Sequence, residues 1–298
     1  MKTVYIKRHG SDAGKWIYNG YKHAWEYIGY TTELYDTIEE LDGFGDDSYV
    51  MAVDCDFKKQ KDVDIVSKFK KCFLFVQPNS FPMPWGNHPN FYTLCPDHII
   101  GLLNKRANVH KWTFSHSHEH HYAWNEVATV PLAFDSISYK KSTDSRYAYD
   151  VCYIGGIANN GFNEKYKIMI NHLGAFKGTG LKCGFFINKG LSHEQENLII
   201  ANSKVCINVH DAYQRVLGLD TNERTFKTLG LNGALVSDNV NCLSTLFPGL
   251  KMADSPDHMV HLVREMLQSD LTISKKRNIE NILNNHTYIA RVKSMEMW

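Results

Sequence analysis

The sequence predicts an α/β protein built from two Rossmann-like units in tandem, and three observations carry that expectation. Short apolar runs alternate with segments whose apolar side chains recur at helical spacing, the pattern of parallel strands joined by crossover helices. The alternation occurs twice, on either side of the polar stretch Lys140-Lys141-Ser142-Thr143-Asp144-Ser145-Arg146, which reads as an interdomain linker. The 298 residues suffice for two domains, each able to bury its own core without disulfide or metal.

In the first series, residues 3–7 read as a strand ending at Arg8-His9-Gly10. Residues 16–29 carry Trp16, Ile17, Tyr21, Ala24, Trp25 and Ile28 at helical spacing and stop at Gly29. Tyr49-Val50-Met51-Ala52-Val53 is a continuous apolar run, as in a strand buried on both faces. Residues 62–70 read as helix and Cys72–Val76 as the next buried strand. The Pro-, Asn- and Gly-rich residues 79–90 read as loop, 97–104 as helix and 109–114 as strand. Residues 129–134 read as an edge strand, where Pro131 is tolerated.

The second series opens with a strand from Tyr149 to Ile154 that ends at Gly155-Gly156. Helix 163–173, strand 181–187, helix 193–201 and strand 204–209 follow, the last ending at His210-Asp211. Then come helix 223–231, strand 234–237, helix 256–268 and a final polar helix over 275–295. The expected domains are 1–140, 141–274 and a C-terminal helix, 275–298, that packs back on the first unit. In such sheets ligands bind beyond the carboxyl ends of the strands, so the cleft between the two units is the expected site.

Composition narrows the class. A net charge of +1 gives no bulk attraction to nucleic acid or acidic membrane. The seven Cys are scattered, odd in number and form no C-x-x-C pair, which reads as reduced core thiols in a cytoplasmic compartment. The N-terminal apolar run contains charges and reads as a strand rather than a signal peptide. No apolar stretch has the roughly 18 residues a membrane span needs. Lys275-Lys276-Arg277 reads as a solvated helix start, with peripheral membrane contact as the alternative.

The most specific segment is 204–238. Lys204-Val205-Cys206-Ile207-Asn208-Val209-His210 is followed by a loop, then Asn222-Glu223-Arg224-Thr225-Phe226 and Leu229-Gly230-Leu231-Asn232-Gly233-Ala234-Leu235-Val236-Ser237-Asp238. This resembles the C-terminal lobe of GT-B glycosyltransferases, in particular the group that includes the spore-maturation proteins. Ala133-Phe134-Asp135, Tyr149–Gly155, Leu246-Phe247-Pro248 and His286-Thr287-Tyr288 with Arg291 extend the likeness over roughly residues 130–292. The first unit resembles the family only in layout. The resemblance implies a glycosyltransferase: the sugar passes from a nucleoside diphosphate-sugar to a glycan or other hydroxyl acceptor, with retention and without a metal or other cofactor.

It also implies roles. Arg224, at the start of a helix, would meet the leaving diphosphate, with Arg215 and Lys189 as further candidates. Asn208, His210 and Asn222 would line the donor side, and Gly155 and Gly156 would let backbone N–H groups approach it. His9 is the candidate base or hydrogen-bond donor of the acceptor side, with Gly10 and Lys15 beside it. The family's Glu after the Phe, which in many members holds the donor ribose, is Lys227 here; Glu223, one turn earlier, would supply the acid. The same substitution supports a rival, a non-catalytic nucleotide-sugar-binding scaffold.

Other motifs stand beside these. Asp54-Cys55-Asp56 after an apolar strand matches the metal-binding Asp-x-Asp of the GT-A fold, but that fold leaves the second α/β series unexplained. His116, His118 and His120 could share one ion only in a strand, and the run lacks H-E-x-x-H spacing. Phe81, Trp85, Phe91 and Tyr92 could stack on a sugar or base, or pack in the core. A DNA-base glycosyltransferase is the variant that would bring nucleic acid in as acceptor. No G-x-G-x-x-G follows a strand, which argues against a dinucleotide-dependent oxidoreductase.

Overall fold

Residues 2–10, 12–80, 95–157 and 164–298 are described by the computed structural model of the protein. Two compact units emerge, one of Met1–Pro131 with Tyr288–Trp298 and one of Leu132–Thr287.

The first unit runs β1 (Thr3–Lys7), α1 (Asp12–Tyr27), β2 (Thr31–Tyr35), β3 (Asp46–Val53), α2 (Gln60–Val66), β4 (Phe69–Phe75), α3 (Asp97–Leu103), β5 (Val109–Thr113) and β6 (Ala128–Thr129). Its strands form one parallel sheet in the order β2-β1-β3-β4-β5-β6. Val50, Met51 and Ala52 of β3 and Cys72, Phe73 and Leu74 of β4 are buried, as continuous apolar runs require of central parallel strands. One face of the unit is strongly aromatic: Trp25 stacks on Phe73 at 5.7 Å, and Tyr21 packs on Trp112 at 5.5 Å.

The second unit runs β7 (Val151–Gly155), α4 (Glu164–Gly174), β8 (Cys183–Ile187), α5 (His193–Asn202), β9 (Val205–Asn208), α6 (Ala212–Leu217), α7 (Glu223–Leu231), β10 (Leu235–Asp238), α8 (Asn241–Leu246), β11 (Lys251–Ala253), α9 (Pro256–Gln268) and α10 (Thr272–Asn285). Its parallel sheet has the order β11-β10-β9-β7-β8. Counted within each unit, five strands follow the same order, 2-1-3-4-5, so each sheet has a switch point between its first and third strands. After α7 the chain turns through Gly233, at φ +77°, where a Cβ would also fall 2.4 Å from the Lys275 carbonyl oxygen.

Two expected boundaries are corrected. The stretch 140–146 is no free linker, because it is sewn to α5: the Asn202 side chain accepts from the Asp144 N–H at 2.9 Å and donates to the Ser142 carbonyl at 3.0 Å. The division therefore falls at Pro131/Leu132 rather than after residue 140. The continuous helix expected over 275–295 is two helices, α10 and α11 (Tyr288–Glu296). Between them the backbone at His286 and Thr287 pairs with Phe134, whose N–H donates to the His286 carbonyl at 2.8 Å. That pairing is incompatible with an unbroken helix. α10 packs on α7 in the second unit, and only the chain from Tyr288 onward joins the first, where α11 lies on α1.

All seven Cys are free thiols, and Cys72, Cys95, Cys152, Cys206 and Cys242 are buried. Among the described residues no helix is long and apolar enough to cross a membrane.

Candidate functional site

The switch point of the second unit lies between the carboxyl ends of β7 and β9. The first strand ends at Gly155 and the other at Asn208, and α7 starts nearby with Asn222 as its N-cap residue, at φ −77° and ψ 161°. The helix therefore presents its amino end, and the partial positive charge of its free N–H groups, at this junction.

Arg224, in the first turn of α7, is the centre of the arrangement. Its Nη1 donates to Asn208 Oδ1 at 2.7 Å, and its guanidinium lies over the Tyr153 ring, 4.7 Å from the centroid. Among the described residues no carboxylate pairs with it.

Behind Arg224 runs a chain of hydrogen bonds that ends on a buried acid. Asn208 Nδ2 donates to Asn222 Oδ1 at 2.9 Å and to Thr225 Oγ at 2.8 Å. Thr225 Oγ is 2.7 Å from Thr221 Oγ, which is 2.7 Å from His210 Nε2. The other ring nitrogen, Nδ1, donates to Asp238 Oδ1 at 2.6 Å, and the His210 backbone N–H donates to Oδ2 at 3.0 Å. Asn208, Thr225, His210 and Asp238 have no solvent exposure. Burial alone would raise the Asp238 carboxyl; the hydrogen bonds and charge of His210, with Arg215, outweigh it and hold the group below the usual carboxylate range. A buried network with its donors and acceptors matched fixes geometry, so Arg224 is held in place before any ligand arrives.

Three further cations of this unit bear on the expected site. Lys165, at the start of α4, is buried and pairs with Asp211 at 3.1 Å. Burial, with a contribution from Arg224, pulls it below the ordinary lysine value against the opposing pull of Asp211. Sequence reading passed over Lys165, since a lone Lys in a helical segment carries no pattern. Arg215 turns its Nε to Asp238 Oδ2 at 3.3 Å, with its side chain 27% exposed. Lys189 is exposed, in the turn after β8.

Gly155 is where backbone and cation approach most closely. A Cβ there would fall 2.3 Å from Arg224 Nη2 and 2.7 Å from Tyr153 Oη. Gly156 is less constrained, with Asn188 Oδ1 at 3.1 Å from an added Cβ. Asn188, at a left-handed φ of 51°, also accepts from the Ile157 N–H at 2.8 Å and ties down this turn. Its role was not legible in the sequence.

Lys227 is explained by a partner on another helix. Its Nζ donates to Glu196 Oε2 of α5 at 2.7 Å, and Tyr139 Oη donates to the same oxygen at 2.9 Å. Lys227 is 7% exposed, so its charge is internal to the unit. Glu223 Oε2 is 4.0 Å from Lys227 Nζ. Burial raises the Glu223 carboxyl, with Lys227 acting against that shift.

At the switch point of the first unit, His9 follows β1. Its ring stacks on Tyr18 at 5.7 Å and rests on Gly14 of α1, where a Cβ would fall 1.9 Å from Nδ1. Burial, aided by Lys7 and opposed by Asp56, holds the imidazole below its ordinary value. Lys7 forms a 3.0 Å ion pair with Asp56, and Asp54, fully buried, accepts from the Gln77 backbone N–H at 2.7 Å. Each of the two Asp-x-Asp acids thus has one carboxylate oxygen engaged by a protein group, Asp54 Oδ2 and Asp56 Oδ1. An added Cβ on Gly10 would meet nothing within 4 Å, and Lys15 is exposed on α1.

The His run does not converge on one point. His118 Nε2 is 3.0 Å from Thr129 Oγ, while His121 Nε2 is 3.3 Å from Thr113 Oγ. Burial, with His118 and His120 adding to it, lowers His121 to about 4. Among the described residues no group of three or more His, Cys, Asp or Glu side chains is placed to hold a metal ion. Phe81, Trp85, Phe91 and Tyr92 lie outside the described residues.

Residues 163–297, a little under half of the chain, match the family model described as glycosyl transferase-like. No curated protein matches the chain. Three solved structures are similar over nearly the whole length of both chains. AviGT4, a glycosyltransferase involved in avilamycin A biosynthesis, has a TM-score of 0.60 and 10% identity, over 99% of this chain and 96% of its own. An alpha-glucosyltransferase in complex with UDP and a 13-mer DNA has a TM-score of 0.56 and 11% identity, over 100% and 99%. T4 phage BGT in complex with UDP and Mn2+ has a TM-score of 0.55 and 14% identity, over 99% and 97%. The fold is that of the GT-B glycosyltransferases, two Rossmann-like units with parallel sheets.

Proposed function

We propose that the protein transfers a sugar from a nucleoside diphosphate-sugar to a glycan or other hydroxyl acceptor, with retention and without a required metal. One observation carries the reading most directly. Arg224 has no acidic partner among the described residues, yet a buried chain through Asn208, Thr225, Thr221 and His210 to Asp238 fixes its position. A guanidinium held this way is suited to an anion that gains charge as it leaves, and it offers two parallel donors to a diphosphate. Lys165 adds a second cation and the α7 amino end a third source of positive potential.

In this reading the second unit binds the donor. Asn208, Asn222 and His210 hold Arg224 rather than touch the sugar, while Gly155 and Gly156 leave room for the diphosphate. Lys227, committed to Glu196, leaves the ribose contact to Glu223. The first unit takes the acceptor, with His9 as base: an imidazole kept below its ordinary value is neutral at pH 7 and able to accept a proton from a hydroxyl. The seven free thiols suit the cytoplasm. Two neighbours hold UDP, which makes uridine diphosphate-sugars the first donors to assay. One of them also holds DNA, which makes a DNA hydroxyl the acceptor to assay beside glycans.

The test is a donor panel, assayed for transfer and for slow hydrolysis without acceptor, with chelator and with Mn2+. Arg224→Ala should lower turnover about a hundred- to thousand-fold, roughly 2.7–4 kcal/mol, with little change in melting temperature. Arg224→Lys should recover part of it. A binding scaffold would show donor-induced stabilisation and no hydrolysis. Activity that vanishes in chelator and is abolished by Asp54→Ala would move the chemistry to the Asp-x-Asp pair.

A further inference from the structure

A polar cavity in the first unit lies toward the amino end of the sheet, away from His9. β6 pairs only with Trp112 and Thr113 of β5, so the edge of β5 from Val109 to Lys111 carries no partner strand among the described residues. The cavity, about 400 Å³, borders this edge, and its walls include Lys105, Arg106, His110, Lys111, Glu126 and Trp298.

Lys111 gives the cavity its character. It is 5% exposed. Among the described residues its ammonium has no hydrogen bond or ion pair, and Glu126 acts on it only through space. A lysine whose side chain is this buried, with no protein partner for its ammonium among the described residues, is kept most readily where a ligand completes it. Apolar residues of similar length were available to β5 at that position, flanked as it is by buried Val109 and Thr113.

Charge indicates the ligand class. Lys105, Arg106 and Lys111 in the walls stand against Glu126, and Arg106 also pairs with Asp64 at 3.5 Å, so cations outnumber carboxylates by one. A phosphate, free or as a monoester, carries about −1.5 to −2 at pH 7 and has oxygens enough for Lys111 and Lys105 together. Glu126 sits at a left-handed φ of 54°, an uncommon conformation for Glu, which sets it at the cavity mouth.

We propose that this cavity binds phosphate, free or as a small monoester, with Lys111 at its floor and Arg106 and Lys105 at its rim. The site lies in the first unit and does not depend on the donor reading above. Burial, which draws Lys111 below the ordinary lysine value, fits a charge awaiting its partner.

The test is thermal unfolding of the full chain titrated with inorganic phosphate or glycerol phosphate at constant ionic strength. It is run on the wild type, on Arg224→Ala, which removes the proposed donor anion site, and on Lys111→Met. Both probes should stabilise wild type and Arg224→Ala alike, and Lys111→Met should bind about tenfold more weakly or worse. Without phosphate, Lys111→Met should melt at or above wild type, because it removes a buried charge. Tighter binding of the ester assigns a small organic phosphate; tighter binding of inorganic phosphate assigns the free ion. Equal binding by Lys111→Met, loss of the effect in Arg224→Ala alone, or a Lys111→Met that melts well below wild type without phosphate would each overturn the proposal. Arg106→Gln, carried through the same titration, should also bind both probes more weakly.

Discussion

The two switch points share a topology and differ in how they are filled. In the second unit, Asn208, His210 and Asp238 are wholly buried and interlocked. In the first, a wholly buried Asp54 follows β3, while the ends of β1 and β2 carry Lys7 paired with Asp56, a partly buried His9, and an Arg8–Asp36 pair with side chains 56% and 59% exposed. Because the strand order is the same, the backbone does not cause the contrast. The side chains after β9 and β10 build a fixed cradle, and those after β1 and β2 leave a more open surface. A cradle set before binding suits a ligand part that never varies, such as a diphosphate. An open edge suits an acceptor.

The contrast is broken most forcefully at its buried acid. Asp238→Ala leaves His210 and Arg215 without their partner and should cost about 3–5 kcal/mol, roughly a 10 °C fall in melting temperature. Asp36→Ala, the exposed counterpart, should cost no more than about 1 kcal/mol. The pH dependence follows from Asp238 being held below the usual carboxylate range. Its contribution is present above the unfolded value of about 3.9 and is lost as pH falls through the lower folded value. Acid unfolding curves of wild type and Asp238→Asn should therefore differ above that window and converge below it. Equal melting temperatures for Asp238→Ala and Asp36→Ala would remove the distinction between the two ends.

A smaller effect is expected at the glycines. Gly155→Ala would press a methyl group onto Arg224 and Tyr153. The backbone there does not require a left-handed φ, so the substitution isolates the displacement of the guanidinium. About a hundred-fold loss of turnover is expected, the scale of an ångström's misplacement. Gly10→Ala, which meets nothing, should stay within about twofold of wild type. Comparable losses in both would show that the first switch point is as tightly set as the second.

The elements legible in the sequence were those whose side chains alone specify them. The apolar runs of β3, β4 and β9 and the capped start of α7 marked the sheets and the Arg224 helix. β2 was missed because only Tyr35 of its five residues is buried, and β11 and α8 because three to six residues give no period. The site was legible where residues lie close in sequence, from Asn208 to Arg224. Lys165 and Glu196 were not, since only the fold brings them to Asp211 and Lys227. By itself Lys227 left open whether Glu223 supplies the acid, donor handling differs or activity is impaired. With Glu196 beneath it, it is half of a charge pair whose acid sits on another helix.

The finest distinction concerns Glu223, which lies at the border between the internal Glu196–Lys227 pair and the donor cradle. Two roles compete for its carboxylate. It could serve Lys227, from which Oε2 is 4.0 Å away, or accept hydroxyls from a ribose. The distance is at the limit of an ion pair, and Lys227 already has Glu196 at 2.7 Å, which leaves the Glu223 carboxylate available for the ribose role proposed above. Glu223→Gln keeps the shape and one acceptor oxygen and removes the charge. If the carboxylate holds ribose, the donor KM should rise about tenfold, some 1.4 kcal/mol, with kcat nearly unchanged, because that contact is made equally in ground and transition states. Burial raises the wild-type carboxyl, so donor affinity should weaken as pH falls through that raised value, while the Gln variant shows no such limb. The same shift makes the ionised form the costly one, and Glu223→Gln should melt at or above wild type at pH 7. A lower melting temperature with an unchanged KM would instead assign Glu223 to Lys227, and the ribose contact would have to be sought elsewhere in the second unit.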